Sequence, residues 1–491
     1  PRDELLVKKL EFHSKTLNHS IDSTSYPISR AKLKTTSSDK LLEIYSSRNS
    51  FQNRFSINYS NNIFSIRNIS DTDRYEKSVS LERTFENNST AGKFSIIKKI
   101  STNSEDEYSF SGTHLSTIIG NSVLGIGFIE RWWGPGNDNS LILSNYSDPQ
   151  PGIYLDSLSG FRFKNFMSFV GKVNYSFFVN FLDDERFINN TNLIGARITL
   201  QPSKNLTLGF SRVTMFGGDN RPDSFESFVD NLFRLTRTEN GVDLSNEIAG
   251  YDLKYNFVIN KILISSYFQL IGEDEIKFTP STKIFTYGNE IIFLKNGLLR
   301  SIGIEYSNTI ADFGDRYNVT YEHGSYKSGY RYKNLPLGAF IDGDSIFLKL
   351  TTNVEVNEKF FINFSLFRGE FNKDNDGVTN VWGIANEDYE GTKLKIGYSF
   401  DKNFNFELGV LAINENLYLN SKEMDINSLN NLDLEKLNKK RGDFMDLKMI
   451  FNGTRNLNYA DVFSGSPPSV QRRLGNMSWE LSNTTSKPTS T

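Results

Sequence analysis

Cysteine is absent from the 491 residues, and that absence removes disulfides, thiolate metal sites and cysteine nucleophiles together. Histidine is scarce: His13, His19, His114 and His323 stand far apart with no nucleophile motif beside any of them, so a Ser-His-Asp hydrolase has no local signature. No apolar run reaches the roughly 18 residues that a membrane-crossing helix needs. Charge of one sign is also missing, because 55 Lys and Arg against 58 Asp and Glu leave a net charge of -3. A broad basic surface for nucleic acid is therefore not expected, and neither a metal nor a cofactor is called for. The chain starts at Pro1, which reads as a mature or trimmed product.

What is abundant is aromatic: 40 Phe and 22 Tyr accompany 35 Gly, a composition that favours strands over helices. The strands show period two. In "GYDLKYNFVI", Tyr251, Leu253, Tyr255, Phe257 and Ile259 share one face, with Asp252, Lys254 and Asn256 on the other. In "TKLKIGYSF", Leu394, Ile396, Tyr398 and Phe400 oppose Lys393, Lys395 and Ser399. A soluble β-sandwich would alternate too. Turn spacing favours a barrel: "PSKN", "NK", "KNG", "NEK" and "DKN" make tight connections, and long polar segments fall between them. Short and long connections alternate from about Leu41 to Phe451, the two-ended pattern of an outer-membrane barrel with short periplasmic turns and long extracellular loops. The fold class is thus all-β, a transmembrane antiparallel barrel, and counting residues alone gives roughly twenty strands.

Three segments are expected: a short periplasmic helical segment at 1–38, the barrel at 39–452 and a polar, disordered tail at 453–491. "PRDELLVKKLEF" carries Leu5, Leu6 and Leu10 and reads as an amphipathic helix that could cap the barrel. In the loop Gly217 to Gly241, Phe225, Phe228, Val229, Leu232 and Phe233 form a helical stripe, followed by Arg234 and Arg237, as if a lid folded over the mouth. "NKDNDG", Asn372 to Gly377, resembles the start of a calcium loop without its closing glutamate, so incidental acidity is the better reading.

One stretch stands apart. "ERWWGPGNDNSLILSN", Glu130 to Asn145, holds two of the four tryptophans side by side before a Gly-Pro-Gly turn. Strand parity puts it on the outer side: Asn121 to Glu130 runs outward, residues up to Ser157 form the connection, and "GFRFKNFMSF" is expected to return as a strand to Gly171. Trp132 and Trp133 fit either an aromatic girdle or loop core, or a sugar platform on which C–H faces stack while Arg131, Asn137, Asp138, Asn145 and Tyr146 offer polar partners. Physical considerations alone put the girdle or loop-core reading slightly ahead of the platform.

"RWWGPGNDNSLILSNYSDPQPGI" resembles the signature of the Wzi family of outer-membrane capsule-assembly proteins, and "GYRYKNLPLGAFIDGDS" (Gly329 to Ser345) and "NEIAGYDLKYNF" (Asn246 to Phe257) are similar to it as well. The resemblance implies a barrel of about 18 strands occluded by loops, acting in the outer membrane of a Gram-negative bacterium as a lectin that attaches or organises capsular polysaccharide without catalysis. It further implies capsular polysaccharide and outer-membrane lipid as partners, contact with the capsule export machinery, and a monomer. Arg234 and Arg237 then join the candidate carbohydrate-binding set. The competing expectation is a porin-like diffusion channel.

Overall fold

The computed structural model describes residues 50–60, 77–86, 89–100, 107–158, 160–182, 186–222, 238–239, 242–243, 245–276, 279–311, 319–357, 359–373, 387–400, 404–413 and 443–453. Twenty strands share one sheet. Two of them, Glu107–Ser109 and Phe161–Arg162, are spurs that pair with a single neighbour each. The other eighteen close a ring. In chain order they are β1 (Ser50–Ser60), β2 (Lys77–Glu86), β3 (Thr90–Ile100), β4 (His114–Ile119), β5 (Ser122–Phe128), β6 (Pro151–Ser157), β7 (Lys172–Phe181), β8 (Asn192–Gln201) and β9 (Leu206–Phe216). They continue as β10 (Ser245–Ile259), β11 (Ile262–Ile276), β12 (Thr279–Lys295), β13 (Leu298–Asn308), β14 (Ile346–Glu355), β15 (Phe360–Phe371), β16 (Glu387–Ser399), β17 (Phe404–Ile413) and β18 (Asp443–Gly453).

Each strand is antiparallel to the next in sequence, and β18 returns to β1 with Phe55 opposite Phe451, so the barrel has no edge. The count of roughly twenty is corrected to eighteen in the wall, because the segments of two and three residues each pair with one neighbour only and do not enter the closed ring.

The alternation of the sequence becomes an inside and an outside. Leu394 and Tyr398 on β16 are exposed, whereas Lys393 and Lys395 are buried in the lumen. Tyr251, Leu253 and Phe257 on β10 also face outward, while Asp252 points inward and meets Arg197 of β8 at 2.6 Å. Similar pairs line the interior: Lys93–Glu82 at 3.1 Å, Arg212–Glu247 at 2.8 Å and Lys395–Glu407 at 3.8 Å. A buried charge left alone costs several kcal/mol, so pairing is what allows a polar lumen to close up. Outside, Leu81, Phe94, Leu115, Ile126, Phe210 and Ile304 continue an apolar belt that only lipid would solvate favourably.

Connections of opposite kinds sit at opposite ends. Asn260 and Lys261 join β10 to β11 with positive φ at both residues, and Asn296 and Gly297 do the same between β12 and β13, the geometry of a type I′ hairpin. Both described chain ends, Ser50 and Gly453, lie at this turn end, as an even strand number requires. Two details differ from the sequence reading. "GIYLDS", expected within the long connection, is part of β6, with Ile153 and Leu155 outward and Tyr154 inward. "GFRFKNFMSF" is not a strand but the short spur followed by a 3₁₀ turn at Asn165–Val170. Period two in "GIYLDS" was masked by Pro149 and Pro151, which look like loop residues yet only fix where the strand starts.

The N-terminal helix at 1–38, the Phe225–Phe233 stripe with Arg234 and Arg237, most of the "NKDNDG" segment and all but Gly453 of the 453–491 tail lie outside the described residues.

Candidate functional site

Two long connections turn inward and cross the barrel. The first, residues 129–150, leaves β5 as the Trp-Trp stretch. Trp133 N–H donates to Leu143 O at 2.9 Å, folding the segment back on itself. Trp132 Nε1 donates to Gly136 O at 3.1 Å, and its ring meets Tyr146 edge-on with centroids 6.0 Å apart. Trp133 packs on Phe178 of β7 at 5.2 Å. Both indoles are 5% exposed. The platform expectation is therefore corrected in favour of loop core: neither indole presents a face to a polymer.

Arg131 is buried with them. Its guanidinium lies 4.3 Å from the Phe178 ring centroid, and Nη1 donates to Ile129 O at 3.2 Å. The Gly-Pro-Gly turn owes its glycines to proximity. A Cβ on Gly134 would come 2.3 Å from Gln269 Oε1, and one on Gly136 would come 2.0 Å from Asn139 O. The second contact is against backbone and bars any larger residue, whereas a larger residue at 134 would have to push the Gln269 amide aside.

The loop is held from the far wall. Glu305 of β13 is the main anchor: its carboxylate accepts N–H from Asn137 at 2.6 Å, Asp138 at 3.1 Å and Asn139 at 2.6 Å, and also the Tyr267 hydroxyl at 2.6 Å. Three consecutive backbone donors converging on one carboxylate make an anion nest with the anion supplied by the wall. Gln269 of β11 accepts from Leu141 N–H at 3.0 Å and donates to Trp133 O at 2.7 Å. Lys349 of β14 binds Asp138 at 2.7 Å, and Asn137 Nδ2 reaches Glu290 of β12 at 3.3 Å. β13 and β14 stand nearly opposite β5 and β6 in the ring, so the loop spans the lumen.

The second connection, between β13 and β14, comes back the other way. Its described parts are residues 309–311 and 319–345, and the second contains the "GYRYKNLPLGAFIDGDS" segment and a small hairpin, Arg331–Tyr332 with Leu335–Pro336. Arg331 is buried, donates to Asp342 at 2.9 and 3.0 Å and pairs with Glu322 at 2.5 Å. Burial opposes its charge, but Asp342 and Glu322 outweigh burial and hold its pKa above the ordinary arginine value. Arg186, from the β7–β8 connection, donates to the carbonyls of Arg331 and Gly329 at 2.5 and 3.2 Å.

The two loops lock together. Ser144 N–H donates to Leu337 O at 2.7 Å, Tyr330 OH to Ile142 O at 2.7 Å, and Phe340 N–H to Asn139 Oδ1 at 3.1 Å. Tyr321 OH donates to Leu141 O, and burial pushes that hydroxyl's pKa well above the usual tyrosine range. Tyr146 packs on Phe340 at 5.4 Å. The result is one apolar cluster shared by both loops and by the wall residues Phe178, Ile271 and Phe347. Two segments almost two hundred residues apart thus form the site, and of the expected set Arg131, Trp132, Trp133, Asn137, Asp138, Asn145 and Tyr146 all belong to it.

The family description "Capsule assembly protein Wzi" matches residues 44–418. The chain belongs to the Wzi capsule assembly family. Membership accounts for the expectation of an outer-membrane barrel, which the apolar exterior bears out independently. A Klebsiella pneumoniae relative, an uncharacterized 55.8 kDa protein in the cps region, is 30% identical over 187 residues, an alignment that spans 37% of each chain. Among solved structures, Wzi of Escherichia coli, an outer-membrane carbohydrate-binding β-barrel involved in group 1 capsule assembly, superposes with a TM-score of 0.72 at 19% identity, covering 91% of this chain and 97% of that one. OprD of Pseudomonas aeruginosa gives 0.45 at 10% identity over 84% and 97%.

Sequence reasoning missed the wall anchors Glu305, Gln269 and Lys349. Period two identifies them as inward-facing, but only the register of the closed ring brings them beneath the Gly-Pro-Gly turn. The loop end also carries Phe187, which follows buried Arg186 and is 63% exposed. Phe187 N–H donates to Ser328 Oγ at 2.7 Å, Lys327 Nζ lies 4.7 Å from its ring centroid, and Arg221 stands 4.6 Å from that of neighbouring Tyr326. His114 and His323, the described histidines, bond to nearby backbone (Gly112 O; the N–H groups of Ser325 and Tyr326) rather than to a nucleophile.

Proposed function

We propose that this protein holds capsular polysaccharide at the cell surface, non-covalently and without chemistry, using the outer end of a barrel whose lumen two loops cross. The observation that carries the reading is the interlock of residues 129–150 with 319–345, anchored on Glu305, Gln269 and Lys349. A pore needs a continuous aqueous path, and two loops packed around a shared apolar core leave the wall to support a surface instead. Family membership and the carbohydrate binding of Escherichia coli Wzi support the same ligand class.

The role of the expected residues follows from their burial. Arg131, Trp132, Trp133, Asn145 and Tyr146 act from beneath, by fixing the shape of the mouth, while Asn137 and Asp138 tie it to the wall. Direct contact falls to exposed Phe187 and Lys327 with half-buried Arg221 beside them, where an aromatic side chain and two cations suit sugar C–H faces and carboxylates. Each such contact is weak, and a repeating polymer gains retention by making many of them across many copies of the protein. The protein acts as a monomer beside the capsule export machinery, and it is a binding protein rather than an enzyme.

The test joins two measurements on the intact protein: binding of purified acidic capsule, and conductance in planar bilayers. Capsule binding with little steady conductance is expected. Large, stable, ohmic steps without capsule binding would establish the diffusion-channel reading instead.

A further inference from the structure

The connection between β6 and β7, residues 158–171, breaks the pattern of its end of the barrel, where β4–β5, β10–β11 and β12–β13 are joined by two-residue turns. Every residue from Phe161 to Phe169 is exposed, including Phe166 at 86% and Phe169 at 67%, higher than the lipid-facing residues of the strands. Water would solvate such a segment poorly.

Its placement identifies the medium. Phe161 pairs with Val173 of β7, and Val173 shares the outward parity of Tyr175 and Phe177, yet only 5% of it is exposed. Ladder pairing sets Phe161 beside Val173 in the sheet at the turn end, and opposed residues share a face, so Phe161 and Phe163 take the outward side with Tyr175 rather than the lumen side. Phe161 meets Phe163 at 5.1 Å and Tyr175 at 6.5 Å, and Tyr175 meets Phe177 at 5.7 Å, so its rings continue the apolar belt without a gap. Phe166 and Phe169 stand one 3₁₀ turn apart, 6.1 Å between centroids, on one face. Arg162 and Lys164 alternate with Phe161 and Phe163 and are also exposed.

We propose that residues 161–169 form an interfacial anchor that seats Phe161, Phe163, Phe166 and Phe169 in the periplasmic leaflet of the outer membrane, with Arg162 and Lys164 at the level of anionic phospholipid headgroups. Aromatic rings flanked by cations are the side chains that partition best to a bilayer interface. The anchor fixes the barrel's depth and rotation at a place where the turn end, among the described residues, departs from tight hairpins.

The test uses the full chain in vesicles of phosphatidylethanolamine and phosphatidylglycerol whose acyl chains carry bromine near the headgroup or deep in the core. Phe166→Trp adds a fluorophore at a position too exposed to disturb packing, and its emission is read as the difference from the parent protein. Heat-modifiable gel mobility verifies that the barrel is folded. The added emission should be at least halved by shallow bromine, less by deep bromine, and little affected by aqueous acrylamide. In the same vesicles, Arg162→Gln with Lys164→Gln should weaken shallow quenching and remove its dependence on phosphatidylglycerol. Quenching by acrylamide and not by bromine would place the segment in water and overturn the proposal. Shielding from both quenchers, with cross-linked pairs of chains, would assign the surface to a second copy and overturn it equally.

Discussion

The barrel wall and the plug obey opposite rules. On the wall, Leu394 and Ile126 are exposed and Lys393, Asp252 and Glu305 are buried; in the plug, Trp132, Leu141 and Phe340 are buried. The hydrophobic effect is the same in both, but the surroundings differ, since the wall's outer neighbour is hydrocarbon and the plug's is protein. The comparison teaches that a polar lumen can still hold an apolar core. The inward carboxylates and amides of β11 and β13 bind the loops' backbone N–H groups, and that satisfaction of donors frees the loop side chains to pack on one another.

The most severe break should come from the plug's centre. Trp132→Ala with Trp133→Ala removes two fully packed indoles, each worth about 3–5 kcal/mol, while leaving the strand ladder intact. Assembly of the barrel by heat-modifiable mobility should survive, bilayer conductance should rise, and cell-associated capsule should fall. A double variant that stays non-conducting and proteolytically resistant in residues 129–150 would show that the plug does not depend on its indoles.

Next in size is a charge placed on the wrong face of the wall. Leu394→Arg should cost roughly 2–4 kcal/mol of folding stability in vesicles near the midplane of the bilayer. Its inward neighbour makes the control: Lys393→Arg, which keeps the cation on the lumen side, should cost distinctly less in the same titration. Equal costs would mean that the two faces of β16 are not solvated differently.

Glu305→Ala tests the seam between the two regions. It leaves three backbone N–H groups and the Tyr267 hydroxyl without their acceptor, at about 1–3 kcal/mol for a buried group left unpaired. Water entering the gap would recover part of that. Hydrogen exchange at Asn137, Asp138 and Asn139 should accelerate, with exchange in the β12–β13 ladder unchanged. Uniform acceleration would instead make Glu305 part of global stability.

The smallest effect on stability, and the most selective on function, is expected at the mouth. Phe187→Ala with Lys327→Gln lies on the surface and should change stability by no more than about 0.5 kcal/mol. Retained capsule should drop while secreted polymer rises. Full retention would move the polysaccharide contact away from this patch.

The sequence by itself determined the wall. Period two tells Leu394 from Lys393 without any tertiary knowledge, because in a closed sheet each residue has only two directions to face. Turn chemistry such as Asn260–Lys261 and Asn296–Gly297 determined which end was which, since positive φ at consecutive positions is a local demand. Family-like motifs at Arg131 and Gly329 were legible too, but not their meeting. What only the tertiary structure decided is that these motifs interlock, that Trp132 and Trp133 are core and not a platform, and that Glu305 waits beneath the turn. Loops carry no period, and their conformation is set by whichever wall residues the ring's register places opposite them. A tryptophan beside a Gly-Pro-Gly turn reads the same whether it lies open at the mouth or packed on Phe178; the difference is made by a strand from another part of the chain.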